Sequence, residues 1–338
     1  MKVDHVTIKI LKEVALGETK IKRIAEKIDV PRTTIIARLQ KMLERGVLSV
    51  SSAVSFYMLG LQPVVVINKT KAADINVPYL SFAVDFADYG EEYSLALFSF
   101  PVRHLDKYVK RVREKLGVVD ILKTYDRVLW VPDERFARLE ERGISVNWNA
   151  LLEELETSDS KLELVEKPVL QVKLDQIDLF TLERLQENSF VKLKRVADRL
   201  GIHPNLLLYH YHKHVKPLLL GNIVRFNFWD YEEAPLELYM LKSADRESAE
   251  RLLSAFRKLP NYHFSFLEVG GSRCLLALQM PSKDRLPFMR QVKRLKKHGL
   301  ESVELLGIVD METARYLTIP FRYFGKRGWL FAKSAKTS

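Results

Sequence analysis

The sequence is poor in cysteine: Cys274 is the only one in 338 residues. A disulfide framework and any multi-cysteine zinc or iron–sulfur centre are therefore excluded. It also lacks a long apolar run. No stretch reaches the roughly 18 uncharged apolar residues of a transmembrane helix, so none is expected. The opening segment MKVDHVTIKILKEVA carries charges every few residues. It has no apolar core of the kind a secretory signal needs, and the expected location is cytoplasmic. A P-loop, a dinucleotide fingerprint, a nucleophile elbow and paired carboxylates are all missing. On these grounds no catalytic residue, cofactor or metal is expected, and the chain reads as not an enzyme.

What is present is positive charge and apolar mass. Lys and Arg number 54 against 43 Asp and Glu, for a net charge of +11, and 47% of residues are hydrophobic. That is enough to build cores and excludes global disorder. The charge is uneven: residues 1–50 carry +5, 172–225 carry +4, 313–338 carry +6, and 133–171 carry −5. An acidic joint between basic units points to a polyanionic partner for the units rather than a uniform bias.

The chain resembles itself at an offset of 172. KIKRIAEKIDVP (20–31) falls on KLKRVADRLGIH (192–203), so that Ile21, Ile24, Ala25 and Ile28 meet Leu193, Val196, Ala197 and Leu200. Val54, Phe56 and Pro63 meet Phe226, Phe228 and Pro235. The period is too long for a solenoid, so a multi-element module occurring twice is expected.

Each half shows the same order of elements. In the first, Val6, Ile10, Leu11 and Val14 give a 3.6-residue stripe and a helix over about 4–15. A short helix at 20–28 follows, then a tight turn at Asp29, matched by Gly201, where positive φ is tolerated. A third helix over about 32–44 turns Ile35, Leu39, Met42 and Leu43 inward. GVLSVSSAVSF then alternates as a small β-wing. Beyond it come a strand at 63–69, a short helix at 71–81, two strands joined at Gly90, an amphipathic helix (VRHLDKYVKRVREKLG) and a last strand (VVDILKTYDRVLWVP). The second half repeats the order with helices at 245–259 and 283–298. The class is α+β: helix-turn-helix units alternating with βαββαβ sheets.

LERGVLSVSSAVSFYMLGL and the hairpin ADYGEEYSLAL resemble the helix end, wing, Leu-Gly connection and β2–β3 turn of the Lrp/AsnC (feast/famine) regulators. Each half resembles one such unit, a winged helix-turn-helix followed by a ferredoxin-like domain, so the chain is similar to a tandem of two. The resemblance implies winged helix-turn-helix domains at 1–60 and, in divergent form, 172–232. It implies ferredoxin-like domains at 61–132 and 233–320, an acidic helical linker at 133–171 and a basic, aromatic tail at 321–338. It further implies a transcription regulator that binds double-stranded DNA, with self-association, transcription machinery and a small-molecule effector as further partners. Siroheme decarboxylases resemble the same two-domain fold and supply the alternative of an enzyme acting on a polyanionic substrate; a protein-interaction module of the transcription machinery, built on degenerate winged helices, is the other alternative. The Arg-rich, Phe-Pro-containing helix-turn-helix segment of that family is absent here.

The expected DNA contacts follow from chemistry at duplex phosphates and base edges. In the first unit they are Lys20, Lys22, Arg23, Arg32, Thr33, Thr34, Arg38 and Lys41, with Arg38 placed to grip guanine and Lys41 to meet phosphate. In the second they are Asn205, Tyr209, His210 and Lys213. Gly90, Tyr93, Ser94, Gly270 and Gly271 are the effector candidates implied by the family hairpin, with the plain requirement of a tight turn as the competing explanation. His203, His210, His212 and His214 cluster in the second unit, and His210 and His214 are spaced i,i+4. With no third ligand evident they read as structural rather than metal-binding. Lys283, Arg285, Arg290, Lys293, Arg294, Lys296 and Lys297 form a second basic surface together with Arg322, Lys326, Arg327, Lys333 and Lys336. The tail aromatics Phe321, Tyr323, Phe324, Trp329 and Phe331 read as a segment docked on its own domain.

Overall fold

The structure is a computed structural model that describes residues 3–140, 143–170, 173–326 and 328–332. In chain order the elements begin with α1 (His5–Ala15), α2 (Ile21–Ile28), α3 (Arg32–Glu44) and β1 (Leu48–Val54). Then come β2 (Leu61–Asn68), β3 (Leu80–Asp88), β4 (Glu91–Pro101), α4 (Leu105–Lys115) and β5 (Val118–Lys123). The joint holds β6 (Ala137–Glu140), β7 (Gly143–Val146) and α5 (Trp148–Thr157). The second half has α6 (Gln176–Glu187), α7 (Leu193–Leu200), α8 (Pro204–His210) and β8 (Leu219–Phe226). It continues through β9 (Leu236–Ser243), α9 (Arg246–Phe256), β10 (Tyr262–Leu267), β11 (Arg273–Gln279), α10 (Ser282–Leu295) and β12 (Leu300–Tyr316), and ends in the short pair β13 (Phe324–Gly325) and β14 (Gly328–Trp329). The class is α+β, with helix-turn-helix units and ferredoxin-like sheets each occurring twice.

Local chemistry sets the helix-turn-helix geometry. Asp4 caps α1 by accepting the Thr7 N–H at 2.9 Å. Asp175 and Asp178 form a reciprocal capping box on α6. The turn before each third helix passes through a left-handed residue, Asp29 at φ 53° and Gly201 at φ 64°, as the sequence predicts. Leu43 departs from expectation: it is 41% exposed, because Ile35, Leu39 and Met42 already fill the inward stripe of α3. The helix expected at 71–81 is a single 3-10 turn, Ala72–Asp74. Val77, Pro78 and the left-handed Tyr79 break the helical pattern there.

The sheets explain where the core sits. Strand order is β10-β11-β9-β12-β3-β4-β2-β5. Each half contributes four neighbouring strands in ferredoxin-like order, and β12 of the second half pairs antiparallel with β3 of the first through Val309–Phe86 and Tyr316–Phe82. The two outer edges also meet. Tyr125 N–H donates to the Leu267 carbonyl at 2.9 Å, Val128 N–H to Ser265 at 3.0 Å and Val269 N–H to Lys123 at 2.8 Å. The sheet therefore closes on itself, which removes its free edges. Alternation then decides burial. Val65, Ile67, Leu97, Leu238, Phe264 and Phe266 pack together between the two halves, while Val64, Val66, Phe98 and Phe100 face Tyr108 and Val112 of α4.

The expected wings have each other as partners. β1 and β8 pair antiparallel with Ser51 opposite Ile223, two positions that stand 172 apart, the offset of the sequence similarity. At Gly221, φ is 140° and a Cβ would lie 2.7 Å from the Ala15 carbonyl oxygen, so a side chain there would collide with the end of α1. The tail docks as its aromatics predict. Trp329 is buried and its Nε1–H donates to the Leu59 carbonyl at 2.6 Å, and Tyr79 donates to Leu330 at 2.6 Å. Arg327, Lys333 and Lys336 lie outside the described residues.

Candidate anion-binding cleft

The paired strands β1 and β8 lie across one mouth of the closed sheet and roof a cavity of about 280 Å³. Its floor and walls include Phe82, Arg127, Phe264, Phe266 and Tyr316. Two guanidinium groups enter it. Arg127 follows β5, where bridges at Thr124–Glu268 and Val128–Ser265 pin the backbone to β10. Its Nη2 donates to the His263 carbonyl at 2.7 Å, and its Cζ lies 5.2 Å from the Phe264 ring centre. Arg225 projects from β8. Its Nε donates to Ser49 Oγ at 2.9 Å, and its Cζ sits 4.5 Å over the Tyr316 ring.

Neither guanidinium has a carboxylate partner among the described residues. Glu187, at the rim, is ion-paired with Arg184 at 2.8 Å. Burial pushes the Arg127 guanidinium down to about 10, with a smaller push from Arg225, yet it stays charged at neutral pH. Burial and the charge of Arg127 push the His263 imidazole down to about 4, so it is neutral. Two cations without carboxylate partners among the described residues, set among aromatic rings, make this a candidate anion site. A narrower recess lined by Tyr231, Tyr262 and His263 adjoins it and shares both arginines. A larger cavity of about 750 Å³ shares Leu317 and Thr318 with the cleft and reaches Arg322.

The structure distributes the residues expected at the site differently. Arg38 is not free on α3. Its two terminal nitrogens donate to Asp4 at 2.6 and 2.8 Å, and one also to Thr7 Oγ at 2.9 Å. The guanidinium tethers α3 to the cap of α1, a bidentate geometry that occupies the donors a base would need. Lys22 pairs with Glu26 and Arg23 with Glu18. Lys20, Arg32, Thr33 and Lys41 are exposed and Thr34 is half-buried.

In the second unit Asn205, Tyr209 and Lys213 are exposed, but His210 is not on the open face. It is buried and its Nδ1 lies 2.9 Å from Asp178, because α8 presses this side toward α6. The third partner thought to be absent from the histidine pair is Asp178, which also meets His214 at 3.1 Å.

Of the effector candidates, Gly90 and Gly270 take φ of 100° and 69° at hairpin turns. Tyr93 bonds Glu91, Ser94 is buried and donates to the Thr70 carbonyl, and a Cβ on Gly271 would strike the Glu268 carboxylate. They line none of the cavities above. On α10, Lys283 is paired with Glu140 and Arg285 with Glu237, which reduces the second basic surface.

With this geometry in place, comparison with known proteins bears on the fold. No family model matches the chain, and no curated protein matches it. The solved siroheme decarboxylase NirDL, in co-complex with an iron-uroporphyrin III analogue, covers 90% of both chains at 11% identity with a TM-score of 0.51. A further structure of NirDL gives 10% identity, the same coverage and a TM-score of 0.52. The transcriptional regulator NMB0573 of Neisseria meningitidis, in complex with L-Met, covers 44% of this chain and 97% of its own at 19% identity, with a TM-score of 0.34. At these identities the likeness to NirDL is one of fold.

One expectation is overturned. The sequence motifs point away from an enzyme, yet the structures that share its fold along nine-tenths of both chains are those of an enzyme.

Arg127 and Arg225 were not singled out in the sequence. The signal available was a lone cation inside an aromatic strand segment, TYDRVLW and NIVRFNFW. Locally that pattern is indistinguishable from an arginine snorkelling to solvent.

Proposed function

We propose that the chain is an enzyme of the siroheme-decarboxylase type that holds a carboxylate-bearing tetrapyrrole in the cleft at the barrel mouth. The observation that carries this reading is the pair of carboxylate-free guanidinium groups, Arg127 and Arg225, set against Phe264 and Tyr316. Guanidinium forks suit carboxylate side chains, and aromatic faces suit a flat macrocycle. The cleft and the neighbouring 750 Å³ cavity share Leu317 and Thr318 as lining residues, and together they offer space of the order a large ligand requires. In this reading the substrate loses a carboxylate as CO2 and gains a proton at the carbon left behind. Arg127 and Arg225 bind and orient the substrate, and a neutral His263 flanks the cleft without adding a third charge. A cytoplasmic setting goes with this reading.

The test is an absorbance titration of the full chain with iron-uroporphyrin III. Saturable binding that weakens at least tenfold in Arg127→Met and Arg225→Met supports the cleft. Absence of binding, or binding by both variants as tight as that of the unsubstituted chain, contradicts it.

A second reading keeps duplex DNA as the partner. It is favoured by Arg32 and Lys41, exposed on α3 and without an ion pair among the described residues. It no longer includes Arg38 or His210 as base contacts. Binding to a selected duplex that weakens in Lys41→Ala with a reduced salt slope supports it.

A further inference from the structure

The densest unexplained chemistry outside the cleft lies between α6 and the end of α8. There Asp178, fully buried, faces two imidazoles. His210 Nδ1 lies 2.9 Å from Asp178 Oδ1, and His214 Nδ1 lies 3.2 and 3.1 Å from Oδ1 and Oδ2. One ligand atom from each residue falls within 4.8 Å of the others. Asp178 accepts the Asp175 N–H at 2.9 Å, and no lysine or arginine pairs with it among the described residues; a cation held between it and the two imidazoles would offset the cost of burying its charge. We propose that Asp178, His210 and His214 form a binding site for a divalent first-row transition cation, with zinc the expected occupant, that clamps α8 of the second helix-turn-helix to α6.

The geometry favours this in three respects. Tetrahedral zinc with bonds of ~2.0–2.1 Å sets its donor atoms roughly 3.3 Å apart, and the Nδ1–Oδ separations here are close to that. The donor set, two imidazoles and one carboxylate, is a common zinc and iron combination that leaves positions open. A further carboxylate stands close by, with Asp175 Oδ1 3.7 Å from His210 Nδ1. Finally, the backbone between the two histidines is irregular. Tyr211–Val215 forms a π-helical turn, a costly local arrangement that recurs at functional sites. His214 remains partly open to solvent, with 24% of its side chain exposed, which gives the cation a way in. His203 and His212 stand outside the cluster: His203 accepts the Asn205 N–H as a helix cap, and His212 is exposed.

The test uses the full chain stripped of metal with a chelator. Zn²⁺ uptake is measured by calorimetry, and Co²⁺ is used as a spectroscopic probe through its visible d–d absorption. The proposal expects one equivalent of Zn²⁺, competitive with Co²⁺, weakened at least tenfold in His214→Ala and in Asp178→Asn, and unchanged in the double variant His203→Ala/His212→Ala. Should Asp178→Asn unfold through loss of the capping box, His214→Ala alone decides. No stoichiometric uptake by the unsubstituted chain overturns the site. Uptake unaffected by His214→Ala, or lost equally in the His203/His212 variant, overturns it as well.

Discussion

Arg127, from the first half of the chain, donates from Nη2 to the main-chain carbonyl of His263, from the second half, at 2.7 Å. The contact crosses the seam where the sheet closes, so the cleft exists only when both halves are joined. A guanidinium fixed at one end and without a carboxylate partner among the described residues has its remaining donors open to a ligand.

Replacing either cleft arginine removes charge-assisted hydrogen bonds to a bound carboxylate. Each such contact is worth roughly 1.5–3 kcal/mol, or about 10- to 100-fold in affinity. Arg225→Met and Arg127→Met are expected to weaken tetrapyrrole binding by that factor while leaving the far-UV circular dichroism intact. Arg225→Lys is expected to restore only part of the loss, because a point charge cannot reproduce the stacked fork over Tyr316.

The Asp4–Arg38 pair predicts a pH effect on stability. Burial alone would raise the Asp4 carboxyl, but hydrogen bonds from Arg38 and Thr7 outweigh it and hold the group at about 2. A depressed carboxylate stabilises the fold above its unfolded value of about 3.8 and loses that contribution as pH falls toward 2. Arg38→Ala should flatten the loss of stability over this window in acid-unfolding curves. Asp4→Ala removes the cap as well and should cost about 1 kcal/mol near neutral pH.

Asp126 predicts the opposite slope. Burial raises its carboxyl to about 6, against hydrogen bonds from Ser55 and from the N–H groups of Phe56 and Tyr57. A raised carboxylate is favourable to folding while protonated. Stability should therefore fall as pH rises from about 4 to about 6, by as much as ~3 kcal/mol. Asp126→Asn keeps an acceptor for the Phe56 N–H and should remove that slope in denaturant midpoints measured across this range.

The docked tail should matter to stability. Trp329 packs against Tyr79 and Phe324 and bonds Leu59. Truncating a buried tryptophan typically costs 3–5 kcal/mol, so Trp329→Ala should lower the thermal midpoint clearly. An unchanged midpoint would show that the tail adds little to the fold.

Much of the architecture was legible in the sequence because it rests on local signals. The 3.6-residue stripe of α1, the left-handed turns at Asp29 and Gly201 and the alternation of the wing segment that forms β1 each depend on near neighbours. What could not be read depends on residues far apart in the chain. The pairing of residues 124–128 with 265–268 and of β1 with β8 has no local marker. The same holds for contacts. The i,i+4 spacing of His210 and His214 is visible, but the approach of Asp178, 32 residues earlier, is set by how α6 packs on α8. Arg38 shows the reverse case: its type and spacing suit DNA, and a capping carboxylate 34 residues away claims it.

The most direct test of the central claim is product analysis. Siroheme incubated anaerobically with the purified chain should lose mass in steps of one CO2, and the loss should disappear in the Arg127→Met/Arg225→Met double variant. Siroheme recovered unchanged with the unsubstituted chain, under conditions where NirDL converts it, would contradict the assignment.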